Sequence, residues 1–407
     1  MDSIRAKFVF DGNQYDVAKI SATGLQVECA DGFAEEIIRK FRGGGFAFVL
    51  RDAATANEIE LIGELDRCEY SAQGGQVVRI WITKNEQNWS RSARPDADSG
   101  TGKINEYRPV LDMRRAKAGQ TIAVGGGKGG VGKTIVSVNL ALMLSRLSKS
   151  VTLLDGDAGN CNCNTLLGIT RVASTLEEYL HKERALEEIT VSTAYKGLRL
   201  VCGAQNKVDA SLSAEMSRLL TDIGQVDADC IVIDLGAGMS DETLDLYRFA
   251  DEKIIVVTPQ VTALQNAYSF IKSAFFHDLK RSGGFSALLD RAGSDPQKLR
   301  ILIDDLEEGH LARQAFAIVL ARQRFRIVGN MVNGDQDMKI VQNLQKVVGQ
   351  YLHIDNTILG TMASSDDIRN SVNRITPFVA LSPDLPQSRE MKQMALKLTQ
   401  KAVGKPI

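Results

Sequence analysis

Histidine is scarce in this 407-residue chain, and His181, His277, His310 and His353 are dispersed, so no histidine-based metal cage is expected. Cysteine is sparse too. Cys29, Cys68, Cys161, Cys163, Cys202 and Cys230 include no C-x-x-C pair, which argues against an iron–sulfur carrier and reads as reduced thiols. Cys161 and Cys163 lie two apart; a metal or redox role stands beside the plainer reading of small side chains next to a site. No run of eighteen apolar residues exists and no basic-then-apolar segment opens the chain, so neither a spanning helix nor a secretion signal is expected, and the chain is expected in the cytoplasm. Excess charge is missing as well. A net charge of -1 gives no general electrostatic reason for a nucleic-acid partner. What remains is the composition of an ordinary globular protein, 44% hydrophobic, long enough for two or three domains.

Against this plain background one stretch stands out. Gly127-Lys128-Gly129-Gly130-Val131-Gly132-Lys133-Thr134 fits the phosphate-binding pattern G-x-x-x-x-G-K-[ST]. Glycines let the backbone wrap a polyphosphate with its N–H groups inward, Lys133 reaches the terminal phosphates, and the Thr134 hydroxyl is placed to ligate Mg²⁺. The flanks suit the motif: Thr121 to Val124 reads as a buried strand, and Ile135, Val138 and Leu142 recur at helical spacing behind the loop. Lys128 is a second lysine in the crowded first half of the loop. It must point to solvent or reach a phosphate that its own chain does not hold.

At Lys128 the loop resembles the deviant Walker A box of the MinD/ParA family of ATPases, in which that lysine crosses a dimer interface to the partner's nucleotide. Asp155-Gly156-Asp157-Ala158-Gly159-Asn160-Cys161-Asn162-Cys163-Asn164-Thr165-Leu166-Leu167-Gly168 is similar to the first switch of that family, and Ile231-Val232-Ile233-Asp234-Leu235-Gly236-Ala237-Gly238 to its second. The resemblance covers nearly all of 119 to 400 and runs closest to FlhG-like and MinD-like members. It implies a P-loop NTPase of the SIMIBI type with ATP and Mg²⁺ as cofactors. It also implies roles: Lys133 and the loop from Gly127 to Ile135 hold the phosphates, and Thr134 and Asp234 serve the metal with Asp155 in support. Asp157 orients the attacking water, and Lys128 supplies charge to the neighbour's nucleotide. Asn330, with Asn333 as its alternative, and the Pro383-Asp384-Leu385-Pro386 loop are implied at the adenine base. For Asp155 and Asp157 a turn or helix-cap role is the plainer alternative.

The rest of the chain sorts into bodies. Residues 1–84 carry strand-like runs at Ala6 to Phe10, Leu25 to Cys29, Phe46 to Leu50, Glu58 to Leu65 and Gln76 to Thr83, with one helix at about 33–41, which predicts a small, mainly antiparallel barrel or sandwich. Lys19-Ile20-Ser21-Ala22-Thr23-Gly24-Leu25 resembles the D-x-S-x-x-G segment of PilZ domains, which bind cyclic diguanylate. Here Lys19 replaces the acidic residue and no R-x-x-x-R precedes it, and such arginines grip guanine and phosphate by bidentate hydrogen bonds. A degenerate PilZ-like protein-interaction domain is therefore expected, with a cyclic diguanylate receptor and an unrelated β domain as alternatives. Residues 85–107, rich in Ser, Asp and Gly, read as a flexible linker.

From 108 to 407, short apolar runs alternate with longer amphipathic ones, which predicts an α/β fold: a doubly wound, mostly parallel sheet with helices on both faces. A helical insertion is expected at about 276–323, and its acidic run Asp304, Asp305, Glu307 and Glu308 reads as a solvated face. Near the end, Met391, Met394, Ala395 and Leu398 form an apolar stripe among basic residues. It reads as a last core helix or, alternatively, as a peripheral membrane contact. The expected function is an ATP-switched homodimer that recruits protein partners and sets the position or number of a polar cell-surface machine such as a flagellum. A ParA-type DNA-partition ATPase is the alternative, although nucleic acid is not expected from the charge.

Overall fold

In the computed structural model of the protein, the described residues are 119–157, 159–204, 213–282, 285–306 and 311–399, together with the backbone of six strands between residues 6 and 85. The chain divides into two compact units, one of residues 1–115, 279–293 and 298–318 and the other of 116–278, 294–297 and 319–407. In the first unit, β1 (Ala6–Phe10), β2 (Asn13–Ser21), β3 (Gly24–Cys29), β4 (Phe46–Asp52), β5 (Glu58–Tyr70) and β6 (Gln76–Asn85) close a barrel in the order β1-β2-β3-β6-β5-β4. Every neighbouring pair is antiparallel. The strand β2 is absent from the sequence reading for a definite reason. Its alternation, with Tyr15 and Val17 in one phase and Ile20 in the other, changes at Ala18-Lys19, where the register with β3 shifts between Val17 and Lys19. The helix expected at 33–41 and nearly all of the expected linker fall outside the described residues.

The second unit is built on eight strands in the order β14-β13-β12-β7-β11-β8-β10-β9. They are β7 (Gln120–Gly125), β8 (Val151–Gly156), β9 (Thr190–Ser192), β10 (Leu198–Val201), β11 (Cys230–Leu235), β12 (Glu252–Val257), β13 (Phe325–Asn330) and β14 (Asn356–Met362). All pairs are parallel except β9 with β10 at the edge. Runs such as Ile231-Val232-Ile233 are buried along their whole length, as a sheet covered on both faces requires. The strand β13 stops at Asn330, and Met331 has left it with a φ of 59°.

Helix α1 (Lys133–Arg146) is apolar nearly all round, and Val136, Leu140 and Leu144 are buried in the core with Ile122, Val232 and Val256. Helices α2 (Cys163–Leu166), α3 (Leu176–Leu180), α4 (Leu186–Ile189) and α5 (Ser213–Ile223) follow, then α6 (Asp241–Phe249) between β11 and β12. Between β12 and β13 run α7 (Val261–Ser282), α8 (Ser286–Ala292), α9 (Pro296–Asp304) and α10 (Leu311–Arg322). Asp304 is exposed and pairs with Arg300 at 2.8 Å one turn away, a solvated contact worth only about 0.3–0.5 kcal/mol.

The chain then passes through α11 (Asp335–Leu352), α12 (Asp366–Asn373), α13 (Phe378–Leu381) and α14 (Pro386–Thr399). The last helix settles the two readings of its apolar stripe. Met391, Met394, Ala395 and Leu398 are all buried in the core, and Met394 lies so close to β14 that a Cβ at Gly360 would stand 2.6 Å from its Cε. That stripe is occupied by the protein's own interior, as the core-helix reading expects. Among the described residues no helix is long and apolar enough to cross a membrane.

Tyr247 on α6 carries a buried oxygen without a partner. Among the described residues its hydroxyl makes no hydrogen bond, its ring packs edge-on against Phe270 at 5.1 Å, and burial pushes the phenol above its ordinary range. Tyr247→Phe removes the orphan oxygen while keeping the ring, so it is expected to stabilise the fold by about 1 kcal/mol, read as a melting temperature raised by about 2–4 °C. A lowered melting temperature would show that the hydroxyl has a partner in solution.

Candidate active site

The site arises from register. In the parallel ladder, Asp234 of β11 stands opposite Asp155 of β8 and Val124 of β7, so both carboxylates emerge side by side at the carboxyl ends of neighbouring strands. Ligands of such sheets bind in the crevice beyond those ends, and the glycine loop leaves β7 there.

The loop needs its glycines. Gly130 and Gly132 have φ of 80° and 94°, a region side chains avoid, and a Cβ at Gly132 would stand 2.3 Å from the Asn330 amide nitrogen. A Cβ at Gly127 would stand 1.8 Å from the carbonyl oxygen of Asn266, on α7. That oxygen belongs to helix backbone and cannot rotate away. Gly127→Ala is therefore expected to abolish nucleotide retention and to cost at least about 1–3 kcal/mol of stability, checked by fluorescent-nucleotide titration and thermal melting. Unchanged binding would mean that the loop does not close on α7.

The two loop lysines are used differently. Lys133, the first residue of α1, is 6% exposed, and its ammonium donates to the Lys128 carbonyl at 3.3 Å. Burial lowers its pKa, while Asp234 and Asp157 act in the opposite sense. Lys128 is exposed, and among the described residues its ammonium reaches only the Thr262 hydroxyl, at 3.4 Å.

Behind the loop, Asp234 is fully buried and accepts hydrogen bonds from the Ser137 hydroxyl at 2.7 Å and from the Thr134 hydroxyl. Burial, then the neighbouring Asp155, pushes its pKa up to about 7. Asp155 is also held above its usual range by burial, although it accepts backbone N–H groups of Asp157 (3.2 Å), Asn162 (3.1 Å) and Cys163 (3.0 Å). Those three bonds shape the loop after β8 and cap the start of α2. The structure thus gives Asp155 the turn-and-cap role first, beside any share in holding a metal. Asp157 is half-buried; burial raises its pKa and Lys133 lowers it. Its Oδ1 lies 2.9 Å from where a Cβ at Gly236 would be, so a side chain at 236 would displace the carboxylate.

Asn330, at the end of β13, donates to the Val131 carbonyl at 2.8 Å and accepts from the Met331 N–H at 3.0 Å. One donor and one acceptor position of its amide are left. Asn333 is exposed and ties to Ser364, and Pro383 stands exposed between α13 and α14, outside this hydrogen-bonded cluster. Ser137 escaped the sequence reading, although it carried a signal, a hydroxyl one turn after Thr134 on a helix. Cys163 was read there as a small side chain next to a site or a metal or redox group; its place between Asp155 and Asp234 depends on strand pairing and carried no local signal.

The donor set suits a polyphosphate with a hard divalent cation. A glycine cradle opens at a helix N-terminus, a buried ammonium is close by, and the Thr134 hydroxyl lies next to a buried carboxylate.

The chain is similar to several known proteins. A family model described as ParA, NUBPL iron-transfer P-loop NTPase, matches residues 117–280. The antiactivator FleN of Pseudomonas aeruginosa is 29% identical over 285 residues, which is 69% of this chain and 86% of that protein. The septum site-determining protein MinD of Synechocystis sp. is 33% identical over 184 residues, 45% of this chain and 68% of that protein. Among solved structures, MinD complexed with Mg-ADP from Pyrococcus horikoshii aligns with 70% of this chain and 99% of its own at 20% identity, with a TM-score of 0.49.

Proposed function

This chain belongs to the ParA/MinD family of P-loop NTPases, and we propose that it is an ATP-hydrolysing switch whose ATP-bound form is a homodimer and whose hydrolysis releases the two chains. The observation that carries the reading is the contrast between the lysines: Lys133 is buried against its own loop, while Lys128 extends from the same loop into solvent. A cation on the rim of a phosphate cradle that its own site does not use is available to a facing copy.

Lys133 and the loop N–H groups from Gly127 to Ile135 bind the β and γ phosphates of ATP. Mg²⁺ would be held at Thr134 and Asp234, with Asp155 behind them, and when bound it neutralises charge on the transferred phosphoryl group. Asp157 orients the water that attacks. Lys128 of each chain supplies the remaining positive charge to its partner's triphosphate, the part an arginine finger plays. Gly236, which lets the loop after β11 lie against Asp157, couples nucleotide state to that surface. Asn330 serves the base with its remaining amide positions, and Pro383 covers the base from its loop.

The activity is that of a timer, slow until a protein partner accelerates it. FleN is named an antiactivator and MinD a septum site-determining protein, names that support a regulator and one concerned with position; the object we infer for it is a polar cell-surface machine such as a flagellum. The N-terminal barrel is read as the adaptor for a protein partner. Light scattering behind size exclusion tests the switch: with Mg²⁺ and ATP the mass is expected to double, with ADP to remain that of one chain. The same mass with both nucleotides would end the reading.

A further inference from the structure

Cys163 is the first residue of α2, and its backbone N–H donates to Asp155, so its thiol is placed by the main chain as well as by its rotamer. The Sγ lies 3.5 Å from Asp234 Oδ2. Ligand atoms of Asp155, Cys163 and Asp234, from three different elements, all lie within 4.8 Å of one another, and all three residues are buried. From this convergence we propose that the Cys163 thiolate and the Asp155 and Asp234 carboxylates form a binding site for a thiophilic divalent cation of the Zn²⁺ or Cd²⁺ class.

The donor set makes the choice of cation. One sulfur and two carboxylate oxygens suit a borderline or soft ion that accepts four ligands, with the fourth place left to water. Magnesium and calcium prefer oxygen donors throughout, and magnesium gives up its waters reluctantly. Charge favours occupancy. Two carboxylates share one buried place, and as the cation enters, the S–H bond breaks, a sulfur–metal bond forms and the proton leaves to solvent. Cys161 is engaged elsewhere, donating to the carbonyls of Ala204 at 3.0 Å and Asp157 at 3.4 Å. Among the described residues the converging ligand atoms include a single sulfur, that of Cys163.

The consequence is inhibition. Asp234 is the carboxylate assigned above to the nucleotide's Mg²⁺, so a thiophilic ion bound there withdraws it and ties the start of α2 to β11. The site itself rests on the cluster's geometry, and only this consequence rests on the ATPase reading.

The test uses the full chain, stripped of metal and nucleotide and kept reduced. Titration with Cd²⁺ is expected to raise the ultraviolet thiolate-to-cadmium charge-transfer band to saturation at one equivalent, in the presence of excess Mg²⁺. Cys163→Ser is expected to lose the band and to lower affinity by at least on the order of 100-fold, since even outer-shell changes cost about 10–100-fold. Cys161→Ser and Cys202→Ser are expected to keep it. X-ray absorption of the Zn²⁺-loaded wild type needs no variant and is expected to show one sulfur in the metal's first shell. A band that survives Cys163→Ser, no band in the wild type, or a shell with no sulfur or several would each overturn the proposal. Dimerisation by Mg-ATP in metal-stripped protein is a separate readout, so failure of the switch and failure of this site are distinguishable.

Discussion

Lys128→Ala is expected to leave ATP bound, to abolish the ATP-dependent dimer, and to lower hydrolysis by on the order of 10³- to 10⁵-fold, the range of a charge supplied in trans. Binding survives because Lys133 and the loop glycines are untouched, and Lys133 keeps a backbone carbonyl, not a side chain, of residue 128 as its partner. Folding survives because the Lys128 ammonium is exposed and its one long contact, to Thr262, contributes little; surface changes of this kind stay within about 0.5 kcal/mol. The dimer fails because two lysines, one per chain, are removed from a symmetric interface whose centre is two polyanions. Lys128→Arg is a sharper variant. It keeps the charge but replaces a compact ammonium with a planar fork, so partial dimerisation with impaired turnover is expected. The measurements are light scattering with ATP, nucleotide titration and phosphate release. An undiminished dimer in Lys128→Ala would overturn the crossed-lysine assignment while leaving nucleotide binding intact.

How far the sequence reaches can be judged residue by residue. The glycine loop and the buried parallel strands were legible because both depend on local pattern: a fixed glycine spacing, and unbroken apolar runs such as Cys230 to Ile233. The strand β9 was not, since Thr190-Val191-Ser192 is too short to show any period. The strand β2 was hidden by its change of phase. In the site, the residues on the loop itself were legible and the contacts behind it were not. Nothing local says that Asp234 stands beside Asp155, because β8 and β11 meet only after the intervening elements have folded away. The same non-local pairing places Cys163 between them and Ser137 against Asp234. The C-terminal stripe shows a different limit. Amphipathic spacing at Met391, Met394 and Leu398 specifies an apolar face, but a hydrocarbon interior and a protein core satisfy it equally, and only the packing on α1 and β14 decides.

Asp157→Ala is expected to trap the dimer, with ATP binding and association kept and phosphate release lowered by about 10²- to 10⁴-fold, the range lost with a positioned acid–base group. Three features of this aspartate lead to that outcome. It sits half-buried just past the end of β8, near enough to Lys133 for that ammonium to oppose the effect of burial on its pKa, so it borders the phosphate end of the cradle. Unlike Asp155, whose carboxylate is held by three N–H groups of its own loop, it keeps oxygen lone pairs for a water. It also lies against Gly236, on the loop that moves with nucleotide state in this reading. A methyl group at 236 would stand 2.9 Å from its Oδ1 and push the carboxylate from its place. Gly236→Ala is therefore expected to reproduce the trapped dimer more weakly, with Asp157 still present. Asp157→Asn separates charge from shape: if orientation of water is the role, the amide retains part of the rate, and if negative charge is needed it matches alanine. The lifetime of the ATP-loaded dimer after dilution is the deciding measurement. Rapid hydrolysis and prompt dissociation in Asp157→Ala would refute the water-positioning role and leave the turn-residue alternative in its place.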